Sequence, residues 1–361
     1  MEISTTLLPE SERKYGAIKG LSSLPFGLHR SDHMFLVNFK DGKWQNPRIV
    51  PYGPIEMMPG AICLHYGQTI FEGAKAFMHD DGEIYAFRVD KNAERMNVSA
   101  DLICMEQIPV ELQVEGVMRL LDVDRKWCPE IPESSMYIRP FMFATEDALG
   151  VRPSAEYIFC VILSPSGPYY AGGFNHGVRL LITDKYHRAV TGGTGASKTG
   201  GNYTASMKPG QVAKKCGASQ VLYLDASNTY IEEAGAMNHF HIMKDKTVVI
   251  PEFNDSILRS ITSVSMIELL PDLGYKVRQE RIAINDFVAQ IKSGDIIEAG
   301  GFGTAAVVSP VNEYIFDNGD IIKVGNGEIG ENTRKIYEAY TAIQNGKAAD
   351  KYGWMQKVPR Y

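Results

Sequence analysis

A glycine-rich stretch around a single lysine limits the fold of this chain more than any other sequence feature. The segment TGGTGASKTGGNY, residues 191–203, sets Lys198 among five glycines and shows neither helical nor strand periodicity. Glycine tolerates sharp turns and lets the backbone approach another group closely. We therefore expect a tight, specialised loop around Lys198, because a lysine placed only for solubility needs no such surroundings. From the glycines alone, a mobile surface loop remains the alternative.

Two kinds of site use a lysine in such a loop, namely phosphate binding and Schiff-base formation with a carbonyl cofactor. Residues 192–199 nearly match the phosphate-binding pattern G-x-x-x-x-G-K-[ST], but Ser197 stands where the second glycine is required. The charged segment DKYHRAV also separates this loop from the preceding apolar strand, whereas a phosphate-binding loop leads directly from a strand into a helix. We favour the Schiff base and keep a P-loop nucleotide-binding protein as the alternative from another class.

Composition narrows the class of protein. The 361 residues are 44% hydrophobic and 22% charged, which predicts a globular protein of two domains. The net charge of −6 and the absence of a basic block argue against a nucleic-acid partner. The most apolar run, residues 157–163, is too short to span a membrane, and the N-terminus shows no targeting signal. Five widely spaced cysteines indicate reduced thiols in the cytoplasm.

The order of strand and helix patterns predicts where the domains divide. A hairpin turning at Asp41-Gly42, later strands and two amphipathic helices indicate an α+β domain over residues 1–165. We expect Asp90 to cap the first of these helices. Residues 166–177 interrupt the periodicity and are predicted to be a linker, and residues 178–361 form the second domain.

Five sequence blocks in order resemble the branched-chain amino-acid aminotransferases, which are class IV, fold-type IV pyridoxal-phosphate enzymes. The blocks are LHYGQTIFEGAKAF, MYIRP, KTGGNY, EEAGAMN and GGFGTAAVVSPV, and the resemblance runs from about Leu36 to Trp354. It implies an α/β (α+β) fold with a smaller N-terminal domain and a larger C-terminal domain with a barrel-like sheet. It also implies a homodimer, with higher oligomers open, that exchanges amino groups between leucine, isoleucine or valine and 2-oxoglutarate. D-amino-acid aminotransferase and aminodeoxychorismate lyase are the nearest alternatives.

The resemblance also implies the residues that bind pyridoxal 5'-phosphate. Lys198 would form the Schiff base and then move the proton of the substrate Cα. Glu233 would face the pyridine nitrogen, with Glu232 as its rival, since neighbouring residues of a strand point to opposite faces. The remaining cofactor ligands would be Tyr203 at the ring oxygen and, at the phosphate, Arg95, Ile261, Thr262 and Thr304.

The substrate-binding residues are implied in the same way. The substrate carboxylate would be met by the Tyr66 hydroxyl and by the turns at Ala236 and Ala305. Arg139 would bind the distal carboxylate of glutamate. The side-chain pocket would be formed by Phe71, Tyr137 and Tyr169, with Leu149 and Val151 from the other subunit.

Two features depart from relatives of this family. Some relatives carry a C-x-x-C pair in the stretch that matches residues 306–309, and this chain has none there. Pro209-Gly210 stands where relatives continue a helix after the lysine loop, so we expect that helix to be interrupted or to start there.

Overall fold

The computed structural model describes residues 1–18, 21, 24–167, 174 and 176–361. The chain divides into two compact units. Unit 1 comprises residues 1–169, 197–200 and 343–361, and unit 2 comprises residues 170–196 and 201–342. Among the described residues, no helix is both long and apolar enough to cross a membrane.

Nineteen strands and eight α-helices lie within the described residues. The strands are β1 Ser4–Thr5, β2 His33–Lys40, β3 Lys43–Pro51, β4 Thr69–Phe71, β5 Ala74–Met78, β6 Ile84–Phe87, β7 Ser135–Ala144, β8 Tyr157–Ser166, β9 Val178–Ile182, β10 Gln220–Leu224, β11 Tyr230–Ala234, β12 Met237–Met243, β13 Thr247–Pro251, β14 Lys276–Glu280, β15 Ile282–Ala283, β16 Ile296–Gly303, β17 Val307–Phe316, β18 Ile321–Lys323 and β19 Met355–Lys357. The helices are α1 Ile62–Tyr66, α2 Val89–Leu102, α3 Val110–Val123, α4 Gly200–Ala205, α5 Met207–Lys215, α6 Ile261–Leu269, α7 Ile284–Ser293 and α8 Glu331–Gln344.

Unit 1 is built on a nine-stranded sheet with helices α2 and α3 packed against it. The strand order is β1-β3-β2-β8-β7-β5-β6-β19, and β4 also pairs with β7. The predicted hairpin is confirmed, because β2 and β3 meet at Asp41 and Gly42, both with positive φ. Gly116 of α3 lets the helix lie close to the sheet, since a Cβ there would lie 2.2 Å from the Phe35 ring. The apolar faces of the sheet and the two helices form one core.

Unit 2 contains a closed barrel. Strands β12, β16, β17, β9, β10 and β11 follow one another in its ten-stranded sheet, and β11 pairs again with β12 to close the ring. The barrel-like sheet implied by the resemblance is therefore confirmed. Phe287 and Ile291 of α7 belong to the same buried cluster as Leu180, Leu222 and Tyr314 of the barrel strands. The turns between β11 and β12 and between β16 and β17 begin and end on these barrel strands.

The sequence expectations can be compared with the structure at the extent of unit 1 and at two helices. Unit 1 also includes residues 197–200 and 343–361, because β19 pairs with β6 and the Thr199 hydroxyl donates to the carbonyl of Thr69 at 2.8 Å. Most of the predicted linker lies outside the described residues. The prediction that Asp90 caps its helix is wrong, because α2 begins at Val89 after Arg88, whose φ is 46°. The helix after the lysine loop does restart, since α5 carries Pro209 in its first turn, where proline is tolerated.

Candidate active site

One face of helix α2 anchors the lysine segment of unit 1. Asn92, Arg95 and Ser99 are three and four residues apart, so they project from the same side of the helix. The backbone N–H of Lys198 donates to Ser99 Oγ at 2.9 Å. The N–H of Phe71, at the end of β4, donates to the carbonyl of Lys198 at 3.0 Å. The backbone of Lys198 is therefore held from two directions.

Two glycines of the lysine loop meet constraints inside unit 2. Gly192 has a φ of +78°, in the left-handed region that side chains disfavour. A Cβ on Gly195 would lie 2.4 Å from the carbonyl oxygen of Ser256, so a side chain there would displace the backbone. The expected tight loop is present, and the group that Gly195 admits is the backbone of Ser256.

Lys198 shares an aromatic wall with an arginine. Its Nζ atom lies 4.8 Å from the centre of the Phe71 ring. The Cζ atom of Arg139 also lies 4.8 Å from the centre of that ring. Arg139 donates from Nη2 to the Tyr137 hydroxyl at 3.1 Å. Cation–π contact holds a cation at a ring while leaving N–H groups for other partners. Four of the predicted site residues, Lys198, Phe71, Tyr137 and Arg139, are thus brought together within unit 1.

The guanidinium of Arg139 has unused hydrogen-bonding capacity. Its Nε atom is buried and has no hydrogen-bond partner among the described residues. A buried N–H group without a partner is costly, and more so on a charged side chain. Guanidinium groups bind carboxylates through paired N–H donors. Arg139 is therefore suited to bind a carboxylate.

A buried ion pair lies beside the lysine segment. The Glu72 carboxylate accepts from Nε and Nη2 of Arg95, each at 2.7 Å, and from Asn92 Nδ2 at 2.7 Å. Burial opposes its charge, but Arg95, helped by Lys198, outweighs burial and holds the pKa of Glu72 below its usual value. The pair uses Nε and Nη2 of Arg95. Arg95, expected as a phosphate ligand, is therefore oriented by a carboxylate.

Tyr66 and Leu149 meet at the surface of unit 1. The Tyr66 hydroxyl donates to the carbonyl of Leu149 at 2.6 Å. Leu149 and Val151 are 70% and 84% exposed, and Tyr66 is 43% exposed. Large apolar side chains this exposed on one loop are typical of a contact surface. These three predicted residues therefore form a group of their own.

Glu233 is the centre of a buried polar network in unit 2. Its Oε1 accepts from the N–H of Leu258 at 2.8 Å, from Arg188 Nη2 at 3.1 Å and from Asn238 Nδ2 at 3.5 Å. The neighbouring Glu232 instead accepts from the Ser256 hydroxyl, and burial raises the pKa of Glu232. The alternation of strand β11 separates the two carboxylates.

Asn238 joins Glu233 to the beginning of helix α6. Its Oδ1 accepts from the N–H of Ser260 at 3.2 Å and from the Ser263 hydroxyl at 2.7 Å. Ser260 caps the helix, because its side chain accepts from the N–H of Ser263. The first N–H groups of a helix lack partners within the helix and attract anions. The predicted ligands Ile261 and Thr262, which open α6, are thus tied through Asn238 to Glu233.

Two turns of the barrel lie side by side. Gly235 and Ala236 form the turn between β11 and β12, with Gly235 at a φ of +64°. Thr304 and Ala305 lie between β16 and β17. Because β12 pairs with β16 in an antiparallel sense, the start of β12 and the end of β16 are neighbours. The predicted turns at Ala236 and Ala305 are therefore close together.

Tyr203 and Tyr169 complete the set of predicted residues. Tyr203 is half-buried on α4. Tyr169 lies outside the described residues.

Sequence reasoning missed the buried partners of several predicted residues. Glu72 and Asn238 are polar residues within blocks that carry the family resemblance, and their position in those blocks was the signal available in the sequence. Arg188 has no such signal, because it lies in a segment that reads as a charged connection. Lys75 stands opposite Tyr137 in the β5–β7 pair, and burial lowers the pKa of Lys75 to about 8.

Known proteins match this chain in sequence. The sequence model of the class IV aminotransferases matches residues 69–314. A probable branched-chain-amino-acid aminotransferase of Staphylococcus epidermidis is 45% identical over 342 residues, covering 94% of this chain and 95% of the relative. Branched-chain-amino-acid aminotransferase 2 of Bacillus subtilis is 44% identical over 339 residues, covering 93% of each chain.

Solved structures match the fold as well. The branched-chain amino acid aminotransferase of Escherichia coli aligns with a TM-score of 0.75 at 26% identity, covering 91% of this chain and 99% of that one. The T.th. enzyme of the same name, solved with pyridoxamine 5'-phosphate, aligns with a TM-score of 0.73 at 27% identity, covering 90% of this chain and 98% of that one.

Proposed function

Because this chain belongs to the class IV aminotransferases, and within them to the branched-chain-amino-acid aminotransferases, we propose that it transfers the amino group of L-leucine, L-isoleucine or L-valine to 2-oxoglutarate. The products are a branched 2-oxo acid and L-glutamate. The observation that supports this most directly is the Phe71 ring, which carries the Lys198 amine and the Arg139 guanidinium at equal distances of 4.8 Å. An amine suited to amino-group chemistry and a group suited to binding a carboxylate thus both contact the Phe71 ring.

We propose pyridoxal 5'-phosphate as the cofactor. The donor set fits it, since the chain offers an anchored primary amine at Lys198, a buried carboxylate at Glu233 and a capped helix start beside that carboxylate. When bound, this cofactor supplies an electron sink that makes the Cα proton of an amino acid removable. Lys198 would hold it covalently. The other ligands we assign are Tyr203 at the ring oxygen and, at the phosphate, Arg95, Ile261, Thr262 and Thr304.

Lys198 and Glu233 have different tasks in this proposal. Lys198 accepts the proton from the substrate Cα and delivers it again, as a general base and then a general acid. Its anchored backbone keeps the amine beside Phe71, which limits the positions that the amine can reach. Glu233 would face the pyridine nitrogen, and the N–H groups of Leu258, Arg188 and Asn238 that donate to it favour the ionised carboxylate that this role needs.

The substrate pocket must take both an aliphatic chain and a second carboxylate. Phe71 and Tyr137 supply apolar surface, and Arg139 binds the distal carboxylate of 2-oxoglutarate or glutamate through N–H groups such as the buried Nε. We also assign Tyr169 to this wall. For the carboxylate next to the reacting carbon we assign Tyr66 and the turns at Ala236 and Ala305.

We propose a homodimer in which the exposed loop reaches the pocket of the other subunit. Leu149 and Val151 are mostly exposed within one chain, which suits residues that a second copy covers. Since the Tyr66 hydroxyl is bonded to the Leu149 carbonyl, Tyr66 would be presented together with them. We place the enzyme in the cytoplasm, in keeping with five cysteines that are all free thiols.

One set of measurements tests the proposed function. The purified protein with pyridoxal phosphate is expected to be yellow, to lose the visible band in Lys198→Ala, and to carry the borohydride-fixed label on Lys198. It is expected to convert L-leucine and 2-oxoglutarate and to ignore D-alanine. A colourless protein that binds ATP would overturn the proposal in favour of a phosphate-binding loop. Turnover of D-alanine instead of L-leucine would move the assignment to the D-specific relatives.

A further inference from the structure

Arg188 is a buried arginine that joins three separate segments of unit 2. Its Nη2 donates to the carbonyl of Gly195 at 3.2 Å, to the carbonyl of Ser256 at 2.6 Å and to Oε1 of Glu233 at 3.1 Å. Only 6% of its side chain is exposed. Gly195 belongs to the lysine loop, and Glu233 is the proposed partner of the pyridine nitrogen. Arg188 therefore connects two elements of the proposed chemistry without belonging to either.

The two carbonyls fix where the guanidinium lies. Backbone carbonyls carry no formal charge, so they orient Arg188 but leave its positive charge to be balanced by a carboxylate. Gly195 packs closely against the Ser256 backbone, because a Cβ on Gly195 would lie only 2.4 Å from the Ser256 carbonyl oxygen. The guanidinium, and with it Oε1 of Glu233, is thus held by a closely packed backbone.

Glu233 is the carboxylate that balances this charge. Arg188 acts electrostatically on both Glu232 and Glu233, but its hydrogen bond goes to Glu233. Burial raises the pKa of Glu232 and outweighs the Ser256 hydroxyl, whose hydrogen bond to Oε1 lowers it, so the neutral form of Glu232 becomes more accessible. Arg188 forms its ion pair with Glu233, and a nearby positive charge favours the ionised form of that carboxylate.

We propose that Arg188 is a positioning residue that keeps Glu233 ionised and aimed, and thereby sets how tightly the protein holds the protonated pyridine of its cofactor. This inference rests on the proposed role of Glu233. It predicts that Arg188 acts through Glu233 and not through general stability. Two side chains that act through one interaction show effects that do not multiply when both are changed.

A double-mutant cycle on cofactor binding tests the inference. The apoenzymes of wild type, Arg188→Gln, Glu233→Gln and the double variant are titrated with pyridoxal phosphate, followed by visible absorbance. We expect Arg188→Gln to raise the half-saturating concentration about tenfold or more, as for the loss of a hydrogen bond to a charged group. In the Glu233→Gln background the same change is expected to add less than about twofold. Arg188→Lys, which keeps the charge, is expected to recover part of the affinity.

Steady-state kinetics and a control separate positioning from folding. In Arg188→Gln we expect kcat to fall while KM for L-leucine stays within about threefold, since Arg188 does not touch the amino acid in this scheme. The control is Arg179→Gln, which removes an arginine from a more exposed pair with Glu313 in the same unit and should leave the half-saturating concentration unchanged. Thermal unfolding of each apoenzyme records any loss of fold.

Three outcomes overturn the inference. The first is an unchanged half-saturating concentration of pyridoxal phosphate in Arg188→Gln. The second is that Arg188→Gln and Glu233→Gln affect this concentration independently. The third is an equal loss of cofactor affinity in Arg179→Gln and Arg188→Gln. If Arg188→Gln does not fold, full wild-type affinity in a folded Arg188→Gln/Glu233→Gln variant also overturns it. A wild-type protein that binds no pyridoxal phosphate and transfers no amino group overturns the proposed function instead.

Discussion

The two units contain the same pair of residues, a buried arginine and a buried glutamate, in opposite arrangements. In unit 1 the Glu72 carboxylate is grasped through both oxygens by Arg95, and the pair is 1% and 10% exposed, respectively. In unit 2 one nitrogen of Arg188 meets one oxygen of Glu233, and the same nitrogen also serves two backbone carbonyls. In the first pair Arg95 engages both carboxylate oxygens, whereas in the second a single nitrogen of Arg188 is shared among three acceptors.

The two pairs differ in which residue we propose to bind the cofactor, the arginine in unit 1 and the glutamate in unit 2. Glu72 has both oxygens engaged and Asn92 as a further donor, and we propose that its role is to hold Arg95. Nη2 of Arg188 is engaged by two carbonyls, and the role we propose for Arg188 is to hold Glu233. A buried ion pair contributes little net stability, but removing one partner strongly destabilises the protein because the other charge stays buried without compensation. The same pair can thus present a cation for a phosphate or an anion for a ring nitrogen.

The largest expected effect comes from Glu233, the carboxylate that we place in the chemistry. Glu233→Gln keeps an oxygen for the N–H of Leu258 but removes the charge, and we expect kcat to fall about 10³-fold. Glu232→Gln is the matched control, because it changes the adjacent carboxylate on the opposite face of β11. We expect it to stay within about threefold of wild type. Steady-state kinetics with L-leucine and 2-oxoglutarate measure both, and a reversed order would assign the ring nitrogen to Glu232.

Glu72 sharpens the comparison through stability. Glu72→Gln leaves the charge of Arg95 without its buried partner, and we expect the free energy of unfolding to fall by about 3 kcal/mol. The matched change is Glu313→Gln, whose pair with Arg179 has side chains 21% and 32% exposed, respectively. We expect this partly exposed pair to contribute only about 1 kcal/mol, because solvent screens it more than the Glu72 pair. Urea unfolding of the apoproteins gives both numbers. Equal losses would mean that the Glu72 pair is no more critical than a surface pair.

Sequence reasoning reached the elements whose signals are local. The Asp41-Gly42 turn, the restart of a helix with Pro209 in its first turn and the opposite orientation of Glu232 and Glu233 each depend on a few neighbouring residues. The barrel followed from resemblance, since no local pattern records that β11 pairs with β12 to close a ring. Local signals also misled at Asp90, where the left-handed backbone of Arg88 begins the helix without a side-chain cap.

Long-range partners could not be read from the sequence. Arg95 finds Glu72 from 23 residues away and Arg188 finds Glu233 from 45 residues away, and neither pair has a spacing that a helix or strand would explain. The three-residue strand β19 pairs with β6, far away in the sequence, so residues 343–361 join unit 1 without any local signal. These contacts depend on the assembled sheet, and the ion pairs in particular decide which side chains of the site are held.

Arg139 extends the comparison to an arginine that aromatic rings hold. Among the described residues it forms no ion pair, its Cζ lies over Phe71 and Tyr137, and its Nε has no partner. We expect Arg139→Met to raise KM for 2-oxoglutarate about 30-fold, because a charged hydrogen-bonding partner of the distal carboxylate is lost. KM for the 2-oxo acid of leucine should change less than about threefold. Equal changes for both acids would contradict a role in binding the distal carboxylate.

A buried pair of histidines, His239 and His241, gives the smallest expected effect on stability and a pH dependence that differs from that of the ion pairs. His239 Nε2 and His241 Nδ1 lie 3.3 Å apart in unit 2, against Phe287 and near the buried Tyr314. Burial lowers the pKa of both histidines, that of His241 to about 3 with a contribution from the charge of Arg278. The folded state therefore binds fewer protons than the unfolded state below pH 6.5, and stability falls as pH decreases through that range.

The acid response separates this histidine pair from the ion pair of Glu72. Since the pKa of Glu72 is lowered, its contribution is complete above the unfolded carboxyl pKa of about 4.3 and is lost only below it. Between pH 6 and 5 the loss is expected from the histidines, and His241→Gln should reduce it by about 1 kcal/mol. Urea unfolding of the apoprotein at both pH values measures the difference. A variant with the full wild-type loss would show that His241 does not control this range, and the acid sensitivity would then belong to other groups.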